Sequence, residues 1–230
     1  MSEIWRPKIA ILASGNGSTA EAFIHATQNG LVDAEVGLVI CNNPPEKAGI
    51  YDRVKKINIE YGSDILVEMV NGKLYPNGYQ GFGKQTAEES TYICKLFKDH
   101  QIAHVALMGY MKEALGDLVE EYGQQSKHKS IYQARMINTH PGPLPETENT
   151  YGIHTSQKVL DLGILASKHT VHLVASGYDL GEIIAEHSVE ILAGDTAQDL
   201  FDRVQIIEKR ELPLDINNFL QEQKLYINKN

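Results

Sequence analysis

Apolar and polar positions along this chain switch between two periods. Lys8-Ile9-Ala10-Ile11-Leu12-Ala13 is a continuous apolar run closed by Ser14-Gly15-Asn16-Gly17. That pattern predicts a strand buried on both faces and ending in a glycine turn. From Ser18 the spacing becomes helical, with Ala20, Phe23, Ile24 and Ala26 on one side and Asn29-Gly30 as the stop. A second strand is expected over Ala34–Cys41, ending at Asn42-Asn43-Pro44-Pro45, with a helix over about Glu46–Lys55. Strand, turn, helix and strand in that order make a βαβ unit with parallel strands.

The middle is less periodic. Asn71–Gly83 is rich in glycine and asparagine and reads as a loop. A helix over about Thr86–His100 leads to a strand over Ala103–Met108. Gly109-Tyr110 closes it, and a helix is expected from there to Tyr122. Gly123–Ser130 reads as a surface connection and Arg135–Asn138 as a short strand, followed by the proline-rich His140–Pro145. A helix over about Ile153–Leu162 precedes two strands, Lys168–Ala175 and Glu182–Leu192, joined by Ser176–Gly181 as an antiparallel hairpin. Thr196–Glu208 closes the body as a helix. The fold class expected is an open, mostly parallel α/β sheet with flanking helices and that late hairpin.

Composition narrows the function classes. The 230 residues carry 30 acidic and 21 basic side chains, a net charge of −9. A duplex or tRNA binder normally presents a basic face, so nucleic acid is not an expected partner. No apolar stretch approaches the roughly 18–20 residues of a membrane span, and the N-terminus lacks a signal peptide's apolar core, so a cytoplasmic setting is expected. Cys41 and Cys94 are too far apart to suggest a disulfide scaffold or a cysteine zinc site.

Three clusters carry candidate chemistry. Gly15-Asn16-Gly17-Ser18-Thr19-Ala20 fits G-x-G-x-x-[GA] after a first strand, where backbone N–H groups and a helix dipole face an anion. A dinucleotide site would want an acidic residue after the second strand, but Cys41-Asn42-Asn43 stands there. A phosphate or phosphoester site is therefore preferred, and the bland alternative is a glycine turn that only packs helix on strand. Asn138-Thr139-His140 places an amide and an imidazole on one side of a strand end. Such a pair suits a carbonyl whose oxygen becomes negative, although a turn asparagine beside a hydrogen-bonded histidine is the commoner meaning. Ser176–Gly181 carries Asp179 on a glycine-flanked turn, where a carboxylate usually bonds its own backbone. With His140 as partner, Asp179 would raise the imidazole's pKa and fix its tautomer. His169 and His172, three apart in a strand, point to opposite faces and make a poor metal pair. His25, His100, His104 and His187 have no ligand-type residue near them in the sequence, and Glu208 reads as solvated.

Taken in order, these segments resemble the phosphoribosylglycinamide formyltransferase family. The pieces are Ile11–Ser18, Leu107–Lys112, Ile137–Pro141 with Leu144-Pro145, Thr170–Val174 running on to Asp179-x-Gly181, and Ala193–Thr196. The resemblance implies one Rossmann-like formyltransferase domain over 1–230, with a phosphate- and substrate-binding βαβ half (1–105) and a catalytic, folate-binding half (106–215). It implies Asn138, His140 and Asp179 as the catalytic set and Gly15, Asn16, Gly17, Ser18 and Thr19 as the phosphate loop. Glu208 would hold the glycinamide end of the substrate. Met111, Lys112, Glu113 and Ala114, with Asn138 and the Asp179 turn, would wall the folate pocket. The cosubstrate implied is 10-formyltetrahydrofolate, with protonated His140 and Asn138 stabilising the oxyanion, no metal, small-molecule partners only, and a monomer or homodimer.

The chain departs from the family pattern at three places: Lys112-Glu113-Ala114 for an Arg-aliphatic-aliphatic run, Gly142-Pro143 for Ser-Leu, and Leu180 for the first glycine of Asp-Gly-Gly. A relative acting on another amine, such as an amino sugar nucleotide, accounts for such changes. A nucleotide-binding oxidoreductase or a non-catalytic binding module would use only the Gly15–Ala20 loop. A first strand at Lys8 and only about 20 residues after Glu208 speak against the hydrolase and tRNA-modifying relatives.

Overall fold

A computed structural model describes residues 5–72 and 83–229. Among them seven strands form one sheet in the order β3-β2-β1-β4-β5-β6-β7. The strands are β1 (Lys8–Ala13), β2 (Glu35–Cys41), β3 (Leu66–Met69), β4 (His104–Leu107), β5 (Met136–His140), β6 (Ala166–Leu173) and β7 (Ile183–Glu190). β1 pairs in parallel with β2 and β4, β2 with β3, and β4 with β5. β5–β6 and β6–β7 are antiparallel, the second as the late hairpin predicts.

The β1 run is continuously apolar because helices cover both faces. Ile9, Ile11 and Ala13 pack into one layer with Phe23, Ile24, Ile50 and Leu220. Ala10 and Leu12 pack into the other with Ile93, Phe97 and Leu118. The helices are α1 (Ser18–Gln28), α2 (Ile50–Tyr61), α3 (Ala87–Asp99), α4 (Gly116–Tyr122), α5 (Ile153–Asp161) and α6 (Ala197–Lys229). The α3 start has a reciprocal cap: Glu89 N–H donates to Thr86 Oγ1, and Thr86 N–H to Glu89 Oε2.

Three expectations need correction, and a fourth falls mostly on residues that are not described. Residues Pro45–Lys47 form only a 3-10 turn, and α2 runs Ile50–Tyr61 instead of Glu46–Lys55. Its buried stripe Ile50, Val54 and Ile57 sets that register, and Gly62 in left-handed backbone ends it. β3 has no counterpart in the sequence reading, since it is an edge strand without a fully buried residue. The expected loop Asn71–Gly83 lies mostly outside the described residues. α6 does not stop near Glu208 but continues through Pro213 for 33 residues in all. Leu212, Ile216, Phe219 and Leu220 keep helical spacing and are buried against the sheet layer of α1, so packing outweighs the missing proline N–H.

Candidate active site

The strand order reverses between β1 and β4, so the connections leaving their carboxyl ends diverge and open a crevice there. A cleft of about 490 Å³ occupies that place, lined from β5 by Asn138, Thr139 and His140, from the Asp179 turn, from 109–114, and from α6 by Glu208.

β5 extends to His140, two residues beyond the expected strand. Alternation then puts Asn138 and His140 on one face and Thr139 on the other. The buried His140 ring is held at Nε2. Thr147 Oγ1 donates to the Pro143 carbonyl at 2.7 Å, so the 2.9 Å contact to His140 Nε2 makes that nitrogen the donor. In the neutral ring Nδ1 therefore carries the lone pair, and it faces Asp179 Oδ2 at 3.7 Å. The departure Gly142 belongs to this arrangement. A Cβ there would lie 2.4 Å from Thr155 Cγ2 and 2.5 Å from Thr147 Oγ1, so a side chain would displace the residue that holds the histidine.

Asp179 sits in left-handed backbone, φ 55°, which aspartate tolerates. Its turn is pressed onto β6 at Gly181, where a Cβ would lie 1.5 Å from the Leu173 carbonyl oxygen. Leu180 is 59% exposed and does not line the cleft, so this departure leaves the cleft's shape alone. Asp179 Oδ2 accepts the Asn149 N–H at 3.2 Å. Burial raises the Asp179 pKa, but the neighbouring imidazoles of His172 and His140 and that N–H outweigh it, leaving the carboxyl below its ordinary value.

His172 is the residue that the sequence reading missed here. It lies opposite Asn138 in the β5–β6 register and lines the cleft. Its Nδ1–H donates to the Leu173 carbonyl at 2.8 Å, so Nε2 accepts from Asn138 Nδ2 at 3.1 Å. That bond fixes the amide and leaves its second N–H only a long 3.5 Å approach to Asp179 Oδ1. The signal was the alternation that throws His172 and His169 to opposite faces, which holds.

Asp179 does pull the His140 pKa up, as expected, but it does not decide the ring's charge. Burial is the larger effect and pushes the His140 pKa down to about 4, against the upward pull of Asp179. The resting ring is neutral, not the imidazolium expected.

The second wall is irregular backbone. The helix expected after Tyr110 begins only at Gly116, because the backbone donors of 111–115 turn outward. Met111 N–H donates to Ser14 Oγ at 2.7 Å, Glu113 N–H to Gly83 O at 2.7 Å, and Leu115 N–H to Gln85 Oε1 at 3.1 Å. Met111, Lys112, Glu113 and Ala114 all line the cleft. Lys112 is ion-paired to the fully buried Glu89, and Lys84 to Glu113 at 3.1 Å.

Glu208 is not solvated. It is buried, lines the cleft, and accepts from Thr139 Oγ1 at 2.9 Å and from the Thr19 side chain. Burial raises its pKa. Of the glycine loop, Thr19 lines the cleft, whereas Gly15, Asn16, Gly17 and Ser18 stand outside that lining. α1 starts after Gly17 without a side-chain cap, so its first-turn N–H groups are open to a ligand. Arg53, also missed in the sequence, covers the loop, donating to Asn16 O at 2.8 Å and Asn16 Oδ1 at 3.1 Å while pairing with Glu21.

Away from the cleft, His187 does have a ligand-type neighbour. Its Nε2 lies 2.8 Å from Asp215 Oδ2, a contact made possible by the unforeseen length of α6. No helix among the described residues is long and apolar enough to cross a membrane.

Comparison with known proteins agrees with this geometry. The chain is 28% identical over 213 residues to phosphoribosylglycinamide formyltransferase of Bacillus subtilis, covering 93% of this chain and 94% of that protein. It is 29% identical to the trifunctional purine biosynthetic protein adenosine-3 of Bos taurus, over 90% of this chain but only 18% of that longer protein. The crystal structure of phosphoribosylglycinamide formyltransferase from Bacillus halodurans superposes with a TM-score of 0.75 at 29% identity, covering 93% of this chain and 95% of that one. The enzyme of the same name from Brucella melitensis gives 0.74 at 29% identity, covering 94% and 96%. With residues 7–216 matching the family described as formyl transferase, the chain belongs to the formyl transferase family.

Proposed function

We propose that this chain transfers a formyl group from 10-formyltetrahydrofolate to the amine of phosphoribosylglycinamide, a step of de novo purine biosynthesis. The observation that carries this reading is the meeting of Asn138, His140 and Asp179 at one end of a cleft walled by 111–114.

The phosphate of the amine substrate lies at the start of α1, on the N–H groups of 15–19, beside Arg53. Glu208, oriented by Thr19 and Thr139, accepts from the glycinamide end. The folate enters along the backbone of Met111–Ala114. The neutral amine attacks the formyl carbon, and the new C–N bond forms as the carbonyl π pair moves onto oxygen. The Asn138 N–H that has only the long 3.5 Å contact to Asp179 donates to that oxyanion instead, a contact of a kind worth about 3–4 kcal/mol. His140 takes the amine proton at Nδ1 and becomes an imidazolium stabilised by Asp179. It returns that proton to N10 of the folate as the old C–N bond breaks, and the neutral ring is restored. The oxyanion and proton-transfer steps use side chains, in a cytoplasmic setting, with two small-molecule partners.

The test is a formyl-transfer assay with 10-formyltetrahydrofolate and a panel of amines that includes an amino sugar nucleotide. Turnover with phosphoribosylglycinamide is expected, with loss of at least about 100-fold in His140→Ala. Failure with every amine overturns the proposal.

A further inference from the structure

On the opposite face of the sheet from His140, three ligand-type side chains meet under α6. His169 on β6 and His187 on β7 stand directly opposite one another in the antiparallel register. Their rings lie 6.0 Å apart between centroids and only 14° from parallel. Asp215 comes down from α6, and one ligand atom from each of the three lies within 4.8 Å of the others. Among the described residues this is the one such group of three.

The hydrogen bonds around His169 leave one nitrogen for a ligand. Thr139 Oγ1 donates to Glu208 Oε1 at 2.9 Å, so the 2.7 Å contact with His169 Nε2 has the imidazole N–H as donor. The neutral ring then keeps its lone pair at Nδ1, and that atom is fully buried with no hydrogen-bond partner. A buried, unpartnered imidazole lone pair costs free energy unless something fills it. Metal-bound histidines show the same pattern, with the far N–H fixed by an oxygen partner while the other nitrogen binds the ion.

We propose that His169, His187 and Asp215 bind a late first-row divalent metal ion of the zinc type. Two imidazoles and a carboxylate are the ligand set such ions prefer, whereas magnesium and calcium want all-oxygen sites. With bonds of about 2.0–2.2 Å in a tetrahedral site, ligand atoms stand about 3.3 Å apart. His187 and Asp215 already meet at 2.8–3.0 Å, and with all three ligand atoms within 4.8 Å closure asks for an approach of up to about 1.5 Å toward His169. The His187 side chain is 28% exposed and that of Asp215 9%, so solvent reaches the pair and a water would complete the four ligands. On binding, the proton between His187 Nε2 and Asp215 moves to Nδ1 of the same ring, so that a neutral imidazole and a carboxylate face the ion. The ion would also lock the His169–Thr139–Glu208 chain that ends in the cleft. This last consequence rests on the reading of Glu208 above, whereas metal binding itself does not.

The probe is Co2+ titrated into the full, untagged chain, followed by its visible absorption, with Zn2+ as competitor. One Co2+ per chain with tetrahedral bands, displaced by Zn2+, is expected. His187→Ala and Asp215→Asn, on an edge strand and a partly exposed helix face, are each expected to weaken binding at least about 10–100-fold, the range seen when merely a ligand's own partner is removed. His154→Ala, on exposed α5 surface, is expected to bind as the parent does. Circular dichroism without metal shows that each variant is folded. Absence of saturable Co2+ binding, or full binding retained in either ligand variant, overturns the proposal whatever the formyl-transfer assay gives.

Discussion

The Thr147 hydroxyl fixes the tautomer of His140: by donating to Pro143 O at 2.7 Å it obliges Nε2, 2.9 Å away, to carry the ring's proton. The basic nitrogen is therefore Nδ1, on the side of Asp179.

Removing that acceptor tests whether the tautomer matters. In Thr147→Val the buried Nε2–H loses its partner and the proton moves to Nδ1, which then hydrogen-bonds Asp179 and is no longer a base. A fall in kcat of about 10–100-fold is expected, with KM for both substrates within about twofold, because ring position is unchanged. Thr147→Ser restores the acceptor and most of the rate. Steady-state kinetics of the three proteins decide it, and an unchanged kcat in the valine variant contradicts the assignment.

The pH profile reports the same ring. Burial holds His140 to about 4, so the neutral base is present at pH 7 and is lost as pH falls through about 4. The acid limb of kcat/KM is expected there, with no break near the ordinary histidine value of about 6.5. Asp179 pulls the His140 pKa up, so Asp179→Asn moves the limb lower while depressing the plateau. A limb at about 6.5 in the parent protein would mean that the ring is solvated.

Much of this was legible in the sequence where chemistry and pattern coincide. The β1 run and the α3 helix each have one physical meaning that survives folding, and the alternation of Asn138 and His140 onto one face survives with them. His172 and Thr147 were not legible, and Glu208 only through the resemblance, since each acquires its role from a partner between 7 and 69 positions away. The charge state of His140 was misread for a related reason: the sequence names the carboxylate neighbour but not the depth of burial, and burial is the larger effect. α6 failed as a sequence reading because Pro213 is a local signal and the apolar stripe that overrides it is a tertiary one.

Stability should carry the mark of a second buried histidine. His104 is wedged beside Gln223 and edge-on to Trp5, and burial lowers its pKa to about 4. Its folded pKa is thus below the unfolded value of about 6.5, so its full contribution holds above pH 6.5 and is lost as pH falls toward 4. Across that window the unfolded chain binds a proton that the folded chain refuses, which is worth up to about 3 kcal/mol. Urea unfolding at pH 7 and pH 5 is expected to show the loss, and His104→Gln to reduce it by about one proton's worth of slope. Equal pH dependence in the two proteins contradicts the account.

Gly181 sets the position of Asp179 without touching a ligand. A methyl group 1.5 Å from the Leu173 carbonyl oxygen cannot be accommodated, so Gly181→Ala must lift the turn from β6. A loss of about 2–3 kcal/mol in stability is expected, the scale of overpacking at a rigid contact. The fall in kcat should match that of Asp179→Asn, since the carboxylate moves away from His140. Retained activity would show that the turn adapts and that Asp179 is not held by this contact.

Arg53 answers a question that the charge balance raises. A chain of net charge −9 that binds a phosphorylated amine needs local positive potential, yet Lys112 is paired with Glu89 and Lys84 with Glu113. Around the glycine loop the cation is Arg53, which bridges Asn16 and Glu21. Its guanidinium both shapes the loop backbone and adds charge where α1 already points its N–H groups. Arg53→Ala is expected to raise KM for the phosphorylated amine about tenfold, about 1.4 kcal/mol of binding, with KM for the folate unchanged and kcat within about twofold. Because part of that binding is a screened charge interaction, the parent's KM should rise with added salt and the variant's much less. A variant with parental KM at low salt would show that the loop holds its anion by backbone groups alone.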